Sequence, residues 1–248
     1  PPDQKIYSIG VPMKKPELVV AAGGWESLRA AVAAGANAVY FGLKQLNLRI
    51  NARSFERNEM QKIVAYCHRH DVYAYLVLNS IIYENEISTL RTIIDEAGAA
   101  GVDAVICWDF AVIQAVQSQG IPVHISTQAS VSNSLAVQQY ASLGARRIVL
   151  ARECTLEMIN AVVRRIEELK LSIAVEVFVH GALCISLSGR CFISEYLFNR
   201  SANRGDCLQP CRRKYHIRDV EEEKEMAVED GYILSPKDLC ATEFIDQL

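Results

Sequence analysis

AAGANAVYFG (33–42), AAGVDAVICW (99–108) and SLGARRIVLA (142–151) share one grammar. Each ends a helical stretch on a small residue or leucine and a glycine, then launches a run of mainly apolar residues, as repeated βα units do. Three such echoes in one chain call for parallel strands joined by crossover helices.

Working outward, the predicted strands are ELVVAA (17–22), NAVYFG (37–42), VYAYLVLN (72–79), DAVICW (103–108), VHISTQ (123–128), RIVLA (147–151) and SIAVEVFV (172–179). Segments of helical period lie between them, among them 25–34, 59–70, 86–100, 132–143 and 156–169, with Thr155 placed as the N-cap of the last. Seven units are visible where a closed (β/α) barrel needs eight. After Asp238 one more helix is expected before Leu248, so the expectation is an α/β, TIM-like barrel whose last β/α unit is missing. A doubly wound sheet is the alternative. No GxGxxG follows the first strand, however, and GGWES (23–27) has the wrong spacing for a dinucleotide loop.

At 27.6 kDa and 50% hydrophobic, the chain can bury a full core. Residues 1–12 read as an N-terminal extension, Met13 as the point where the natural fold starts, and 13–248 as one barrel domain carrying a cysteine-rich segment at 181–240. Neither a signal-peptide stretch nor a run of about 18 apolar residues is present, so the sequence reads as cytoplasmic with no membrane span. Eight cysteines in a reducing compartment favour metal binding over a disulfide scaffold. A net charge of −3 argues against wholesale coating of nucleic acid.

The cysteines are unevenly placed. Cys184 and Cys191 fall in GALCISLSGRC, Cys207 and Cys211 in RGDCLQPCRRKY, so four thiols occupy 28 residues. Gly181, Gly189, Gly205 and Pro210 allow the turns that would aim separate sulfurs at one point. Such a set satisfies tetrahedral zinc or an iron-sulfur cluster, and the long gap between Cys191 and Cys207 suits a larger cluster better than a zinc knuckle. Cys67, Cys107 and Cys154 read as small core residues. Around the four thiols, Arg200, Arg204, Arg212, Arg213, Lys214 and Arg218 face the single acid Asp206; the segment is either a phosphate grip or a solvated basic loop. Glu221–Glu225 reads as solvated surface.

In a barrel, chemistry belongs at the C-terminal strand ends, where the cysteine segment leaves the seventh strand. Asn79, Trp108, Asp109, Gln128, Arg152 and Glu153 occupy equivalent positions, and NLRINARSF (47–55) adds Arg49, Asn51 and Arg53. Arg49, Arg53, Arg204 and Arg212 are the candidate substrate-binding residues. Helix caps and surface positions are the plainer readings of several of these. Glu176 and His180 are the candidate acid–base residues: the two-residue period points both into the barrel, where Glu176 needs a cation for which Arg190 is the candidate. A structural histidine is the competing reading of His180. Ser188 and Ser194 lack a positioned base, which argues against a nucleophilic role.

The stretch EVFVHGALCISLSGRCFIS (176–194) resembles the signature of the peptidase U32 family, the collagenase-like group, at Glu176, Phe178, Gly181, Ala182, Leu183, Cys184, Gly189, Cys191, Ile193 and Ser194. The resemblance runs from Met13 through GANAVYFG, the NARSF loop, STQASVSN, RGDCLQPCRRKY and SPKDLC; the family's final Lys-Ile-Glu-Gly-Arg-like strand is missing. It implies one of two chemistries. The older label is protease. Better characterised relatives are oxygen-independent hydroxylases with a 4Fe-4S cluster held by four cysteines, acting on ubiquinone precursors, on transfer RNA uridine or on ribosomal RNA cytidine, with prephenate implicated as oxygen donor and some working in pairs with a second family member. Carried onto this chain, the resemblance implies Cys184, Cys191 and Cys207 as ligands, completed by Cys211 or, alternatively, by Cys240. No HExxH helix or GxSxG elbow is present for the protease reading. An RNA-modifying hydroxylase is therefore the expected function; a peptidase, or a metal-stabilised partner subunit of a hydroxylase, are the alternatives.

Overall fold

A computed structural model of the chain describes residues 15–48, 54–226 and 233–248. Seven parallel strands form one sheet in sequential order: β1 (Val19–Ala22), β2 (Ala38–Gly42), β3 (Tyr73–Val77), β4 (Ala104–Cys107), β5 (Val123–Ile125), β6 (Ala145–Val149) and β7 (Ala174–Glu176). Six helices cross over between them: α1 (Trp25–Ala33), α2 (Met60–His68), α3 (Ile87–Ala100), α4 (Phe110–Ser118), α5 (Ser134–Ser142) and α6 (Leu156–Glu168). A short α7 (Ile193–Phe198) follows in the cysteine segment.

The recurring glycines do what the echoes implied. Gly35, Gly101 and Gly144 all take positive φ (86°, 76° and 83°), where a side chain would be strained, and each turns the chain from a helix end into the next strand. Thr155 caps α6, its Oγ1 accepting from the Met158 amide at 3.4 Å, and Asp109 caps α4 through the Ala111 amide at 2.9 Å.

The outer face of the sheet and the inner helix faces share one large core, including Phe41, Leu76, Ile93, Ile125 and Ile148. A second, smaller core of Ala38, Tyr75, Val77, Ala104 and Ile106 fills the concave face. Burial on both faces is what parallel strands require. The sheet curls: Arg147 on β6 donates to Glu17, two residues before β1, at 2.7 and 3.0 Å. With strands roughly 4.8 Å apart, five spacings of a flat sheet would hold those positions about 24 Å apart. β1 and β7 do not pair, so the architecture is the incomplete TIM-like barrel expected from the sequence.

Three expectations are corrected. The seventh strand ends at Glu176, and His180–Gly181 (β8) leaves the barrel. A small antiparallel ribbon of β9 (Ile217–Arg218) and β10 (Glu225–Met226) follows, and β11 (Leu239–Cys240) pairs antiparallel with β8. After Asp238 the chain forms β11, turns and a single 3-10 turn at Ile245–Gln247 instead of a helix. Glu176 takes its cation from Arg147 (3.2 Å), because the same parity that turns Glu176 inward turns Arg147 inward on the neighbouring strand. Arg190 lies elsewhere, as described below.

Candidate functional site

Three of the four clustered sulfurs accept a backbone N–H from two residues on: Ser186 N to Cys184 Sγ (3.5 Å), Ile193 N to Cys191 Sγ (3.5 Å) and Gln209 N to Cys207 Sγ (3.4 Å). Amides aimed at sulfur stabilise thiolate charge. The backbone of this segment is sharply bent: Ser188 (φ 48°), Gly189 (φ 77°), Gly205 (φ 90°) and Gln209 (φ 52°) are left-handed, and Gln209 is itself one of the three donors. The fourth thiol, Cys211, is half-buried and pushed up, first by burial and then by the fields of Cys184, Cys207 and Cys191 together, partly offset by Arg212. All four are free thiols. Among the described residues no group of three or more His, Cys, Asp and Glu side chains is arranged to hold a metal ion. The fit to a metal group therefore rests on donor chemistry: four soft sulfurs in one loop segment, three of them already accepting backbone amides.

Cys240 is exposed and sits opposite His180 on β11 and β8. Its thiol is lowered to about 7, by the Thr242 hydroxyl and backbone first and then by His180. The remaining cysteines are packing residues: burial pushes Cys67 up to about 11 and raises Cys107 and Cys154.

The cysteine loop is docked onto the C-terminal strand ends. Arg190 donates to the Gln128 carbonyl at 2.8 Å and lies 5.0 Å from the Trp108 ring centroid. Buried Ser188 shares a 2.7 Å hydrogen bond with Ser130. Arg152 reaches the Ser186 carbonyl at 3.4 Å, and its buried Nε has no partner. Beneath the loop, Asn79 donates to Gln128 Oε1 (3.2 Å), Ser126 donates to the same oxygen, and Trp108 donates to the Asn79 carbonyl (2.8 Å). This polar floor comes from the tips of β3, β4 and β5, where barrel chemistry is sited.

A cavity of about 390 Å³ opens beside Cys184, lined among others by Arg152, Leu183, Ile185, Leu234 and Ser235. A depression of about 440 Å³ lined by Arg57, Gln61 and Glu96 lies on α2, α3 and their approach, away from the strand tips, and its ion pair of Arg57 with Glu96 gives it a structural role.

The candidate substrate arginines separate. Arg49 and Arg53, with Asn51, lie outside the described residues. Arg204 is spent on Glu86, the Ile81 carbonyl and the Tyr83 ring (4.4 Å), and Arg212 on the Leu183 carbonyl and Asp238 (both 3.2 Å). His180 is exposed in the β8–β11 ribbon, outside the barrel lumen. Glu176 lies in the lumen with Glu17, Tyr75, His124 and Arg147. Burial raises its carboxyl despite Arg147, whereas hydrogen bonds from Arg147 and Tyr75 outweigh burial and hold Glu17 low. The two-residue period of YAYLV, VHIST and ARRIV carried the signal for this inward set of Tyr75, His124 and Arg147.

The sequence profile of peptidase family U32 matches residues 23–248. An uncharacterized protease of Methanocaldococcus jannaschii is 44% identical over 94% of this chain and 57% of its own length. The tRNA hydroxylation protein P1 of Bacillus subtilis is 36% identical over 95% of this chain and 56% of its own. The chain thus spans a little over half the length of these relatives. The solved U32 peptidase Mk0906 superposes with a TM-score of 0.60 at 16% identity, covering 80% of this chain and 81% of that one, which shows the shared fold.

Proposed function

The chain belongs to the U32 peptidase family, and from that premise we propose that it serves an iron-sulfur-dependent, oxygen-independent hydroxylation of an RNA base, in tRNA or rRNA. The observation that supports this reading is a loop segment carrying four free thiols, Cys184, Cys191, Cys207 and Cys211, three of them accepting backbone amides, docked onto the polar floor at the strand tips. The tRNA hydroxylation relative supports the substrate class. Held by those four cysteines, a 4Fe-4S cluster would supply electron transfer; zinc, the alternative occupant, would supply none.

The chain's own groups provide recognition. The groups proposed to meet a flipped base are the Asn79 and Gln128 amides, which are bonded to each other at 3.2 Å, and the Trp108 ring, with Arg190 5.0 Å from its centroid. The cavity beside Cys184 has the size for a small co-substrate, and Arg152 supplies the cation that a carboxylate-bearing oxygen donor such as prephenate would meet. No helix among the described residues is long and apolar enough to cross a membrane, and the proposed RNA substrate fits the cytoplasm.

The experiment is mass spectrometry of host RNA with the gene disrupted, then restored as wild type or as Cys184→Ala. One pyrimidine is expected to lose a single oxygen on disruption and regain it only with the wild type. Unchanged RNA in all strains would overturn the reading. A peptidase reading has one specific observation in its favour, the Cys240 thiol lowered to about 7 opposite His180. It requires peptide cleavage by the purified protein that Cys240→Ser abolishes and Cys184→Ala leaves intact.

A further inference from the structure

A carboxamide side chain reads a ligand through whichever end it leaves free, as donor at nitrogen or acceptor at oxygen. At the tips of β3 and β5 that choice is fixed by one obligate donor. The Leu48 amide donates to Asn79 at 3.0 Å, and a backbone N–H can only donate, so the receiving atom is Oδ1. The other end of Asn79 is therefore Nδ2, which donates to Gln128 at 3.2 Å. The atom of Gln128 that receives it must be Oε1, which also accepts from the Ser126 hydroxyl. Nε2 is left at the far end of the Gln128 carboxamide. A methyl group on Gly189 would sit 3.8 Å from that nitrogen, which places it at the seam between the strand tips and the cysteine loop, two residues before Cys191.

The acceptors around it are engaged. The Asn79 carbonyl accepts from Trp108 Nε1 at 2.8 Å, and the Gln128 carbonyl from Arg190 at 2.8 Å. Both carboxylate oxygens of Asp109 are taken, Oδ1 by the Ala111 amide at 2.9 Å and Oδ2 by the Ile82 amide at 3.2 Å. What lacks a partner among the described residues is a set of donors: both hydrogens of Gln128 Nε2 and the second hydrogen of Asn79 Nδ2. Arg190, 5.0 Å from the Trp108 ring centroid, adds only further donors.

A floor that offers donors discriminates by chemistry. A ligand carbonyl set against it completes a hydrogen bond, whereas a ligand amino group set there leaves donors facing donors, desolvated and unpaired. The exocyclic groups of uracil and cytosine differ in one position: position 4 carries an oxygen in the first and an amino group in the second.

We propose that Gln128 is a specificity-determining residue, whose Nε2 hydrogens take the O4 of uracil and exclude the amino group of cytosine, so that the pyrimidine accepted is a uracil. Asn79 acts through Gln128 and is a positioning residue. This deepens the RNA reading above and rests on it.

The test is fluorescence anisotropy of labelled hexauridine and hexacytidine with the anaerobically purified chain, as wild type, Gln128→Ala, Gln128→Glu and Asn79→Asp. Circular dichroism on each variant checks the fold. The quantity read is the ratio of the two affinities, which a general loss through charge or packing does not move. Wild type is expected to favour uridine by about tenfold, the discrimination of one matched against one mismatched base contact. Gln128→Ala should bring the ratio to about one, and Gln128→Glu, which puts an acceptor at the seam, should reverse it. Asn79→Asp should reverse it with Gln128 untouched: the carboxylate still accepts from Leu48 but now needs a donor from Gln128, which turns Nε2 inward and Oε1 toward the loop. A wild-type ratio near one, a wild-type preference for cytidine, no binding of either oligomer, or a ratio that both Gln128 variants leave unchanged would overturn the proposal. An unchanged ratio in Asn79→Asp would overturn the positioning role. Host RNA separates these failures from that of the reading beneath them: an oxygen lost from a cytidine on gene disruption overturns the uracil assignment and leaves RNA hydroxylation standing, whereas unchanged RNA overturns both.

Discussion

Arg147→Met tests the link between the curl of the sheet and its buried charges. Arg147 bridges Glu17, ahead of β1, and Glu176, at the end of β7, and lies 5.3 Å from the Tyr75 ring centroid. Its side chain is 13% exposed, against 30% for Glu17 and 19% for Glu176. Removing one partner of a buried pair costs about 3–5 kcal/mol; partial exposure and proton uptake by the carboxylates place this site near the low end, about 3 kcal/mol at pH 7. For a chain of this size that is a fall in Tm of roughly 6–12 °C. The sign with pH follows from the two carboxylates. Glu17 is held below its ordinary value of 4.5, so its contribution is present above that pH and lost as pH falls through its folded value; Glu176 is already raised and costs stability when ionised. Without the guanidinium both rise, so the deficit should be full at neutral pH and shrink as pH falls through 4.5. Thermal unfolding of both proteins from pH 4 to 8 measures it. A loss under about 1 kcal/mol, or one that does not vary with pH, would refute the reasoning.

Three further outcomes are expected. Burial, then Arg147, lowers His124 to about 3, and its Nδ1 has no partner, so the wild type should lose stability as pH falls from 6.5 toward 3 while the unfolded chain takes up that proton; His124→Phe should flatten the slope without large loss at pH 7, read by denaturant titration. Arg190→Leu removes both the bond to Gln128 and the contact with Trp108, and should loosen the cysteine loop by about 1–2 kcal/mol, seen as faster amide exchange across 184–191 with the barrel strands unchanged. Cys240, with its thiol near 7, should be alkylated by iodoacetamide well before Cys67 and Cys107 at pH 7.5, and His180→Ala should slow it; peptide mapping decides.

The barrel was legible because local and long-range signals agreed: the glycines of the three echoes sit at the helix ends, and the runs after the first two are largely buried on both faces. Helix α4 was harder to name, since FAVIQAVQS is apolar around most of its circumference and shows a weak period. The expected final helix was displaced by β11, whose pairing with β8 draws Leu239 and Cys240 into an antiparallel ribbon. The four thiols stood out by density alone, and the structure carries all four as free thiols in one loop segment at the strand tips. The lumen partner of Glu176 was missed because Arg190 was nearer in sequence, whereas Arg147 is nearer in register, opposite Ala174 on the adjacent strand. His180 was placed inward by extending a strand parity past the point where the chain leaves the sheet. Arg204 and Arg212 looked free only because Glu86 and Asp238, their partners, are remote in sequence.

The most direct test of the account is iron, inorganic sulfide and zinc analysis of anaerobically purified protein, with an absorption spectrum, on wild type, Cys184→Ala, Cys211→Ala and Cys240→Ala. The account predicts about four irons and four sulfides per chain, lost with Cys184 and Cys211 and retained with Cys240. One zinc with no sulfide would contradict it, and loss with Cys240 but not Cys211 would move the fourth ligand to the β8–β11 ribbon.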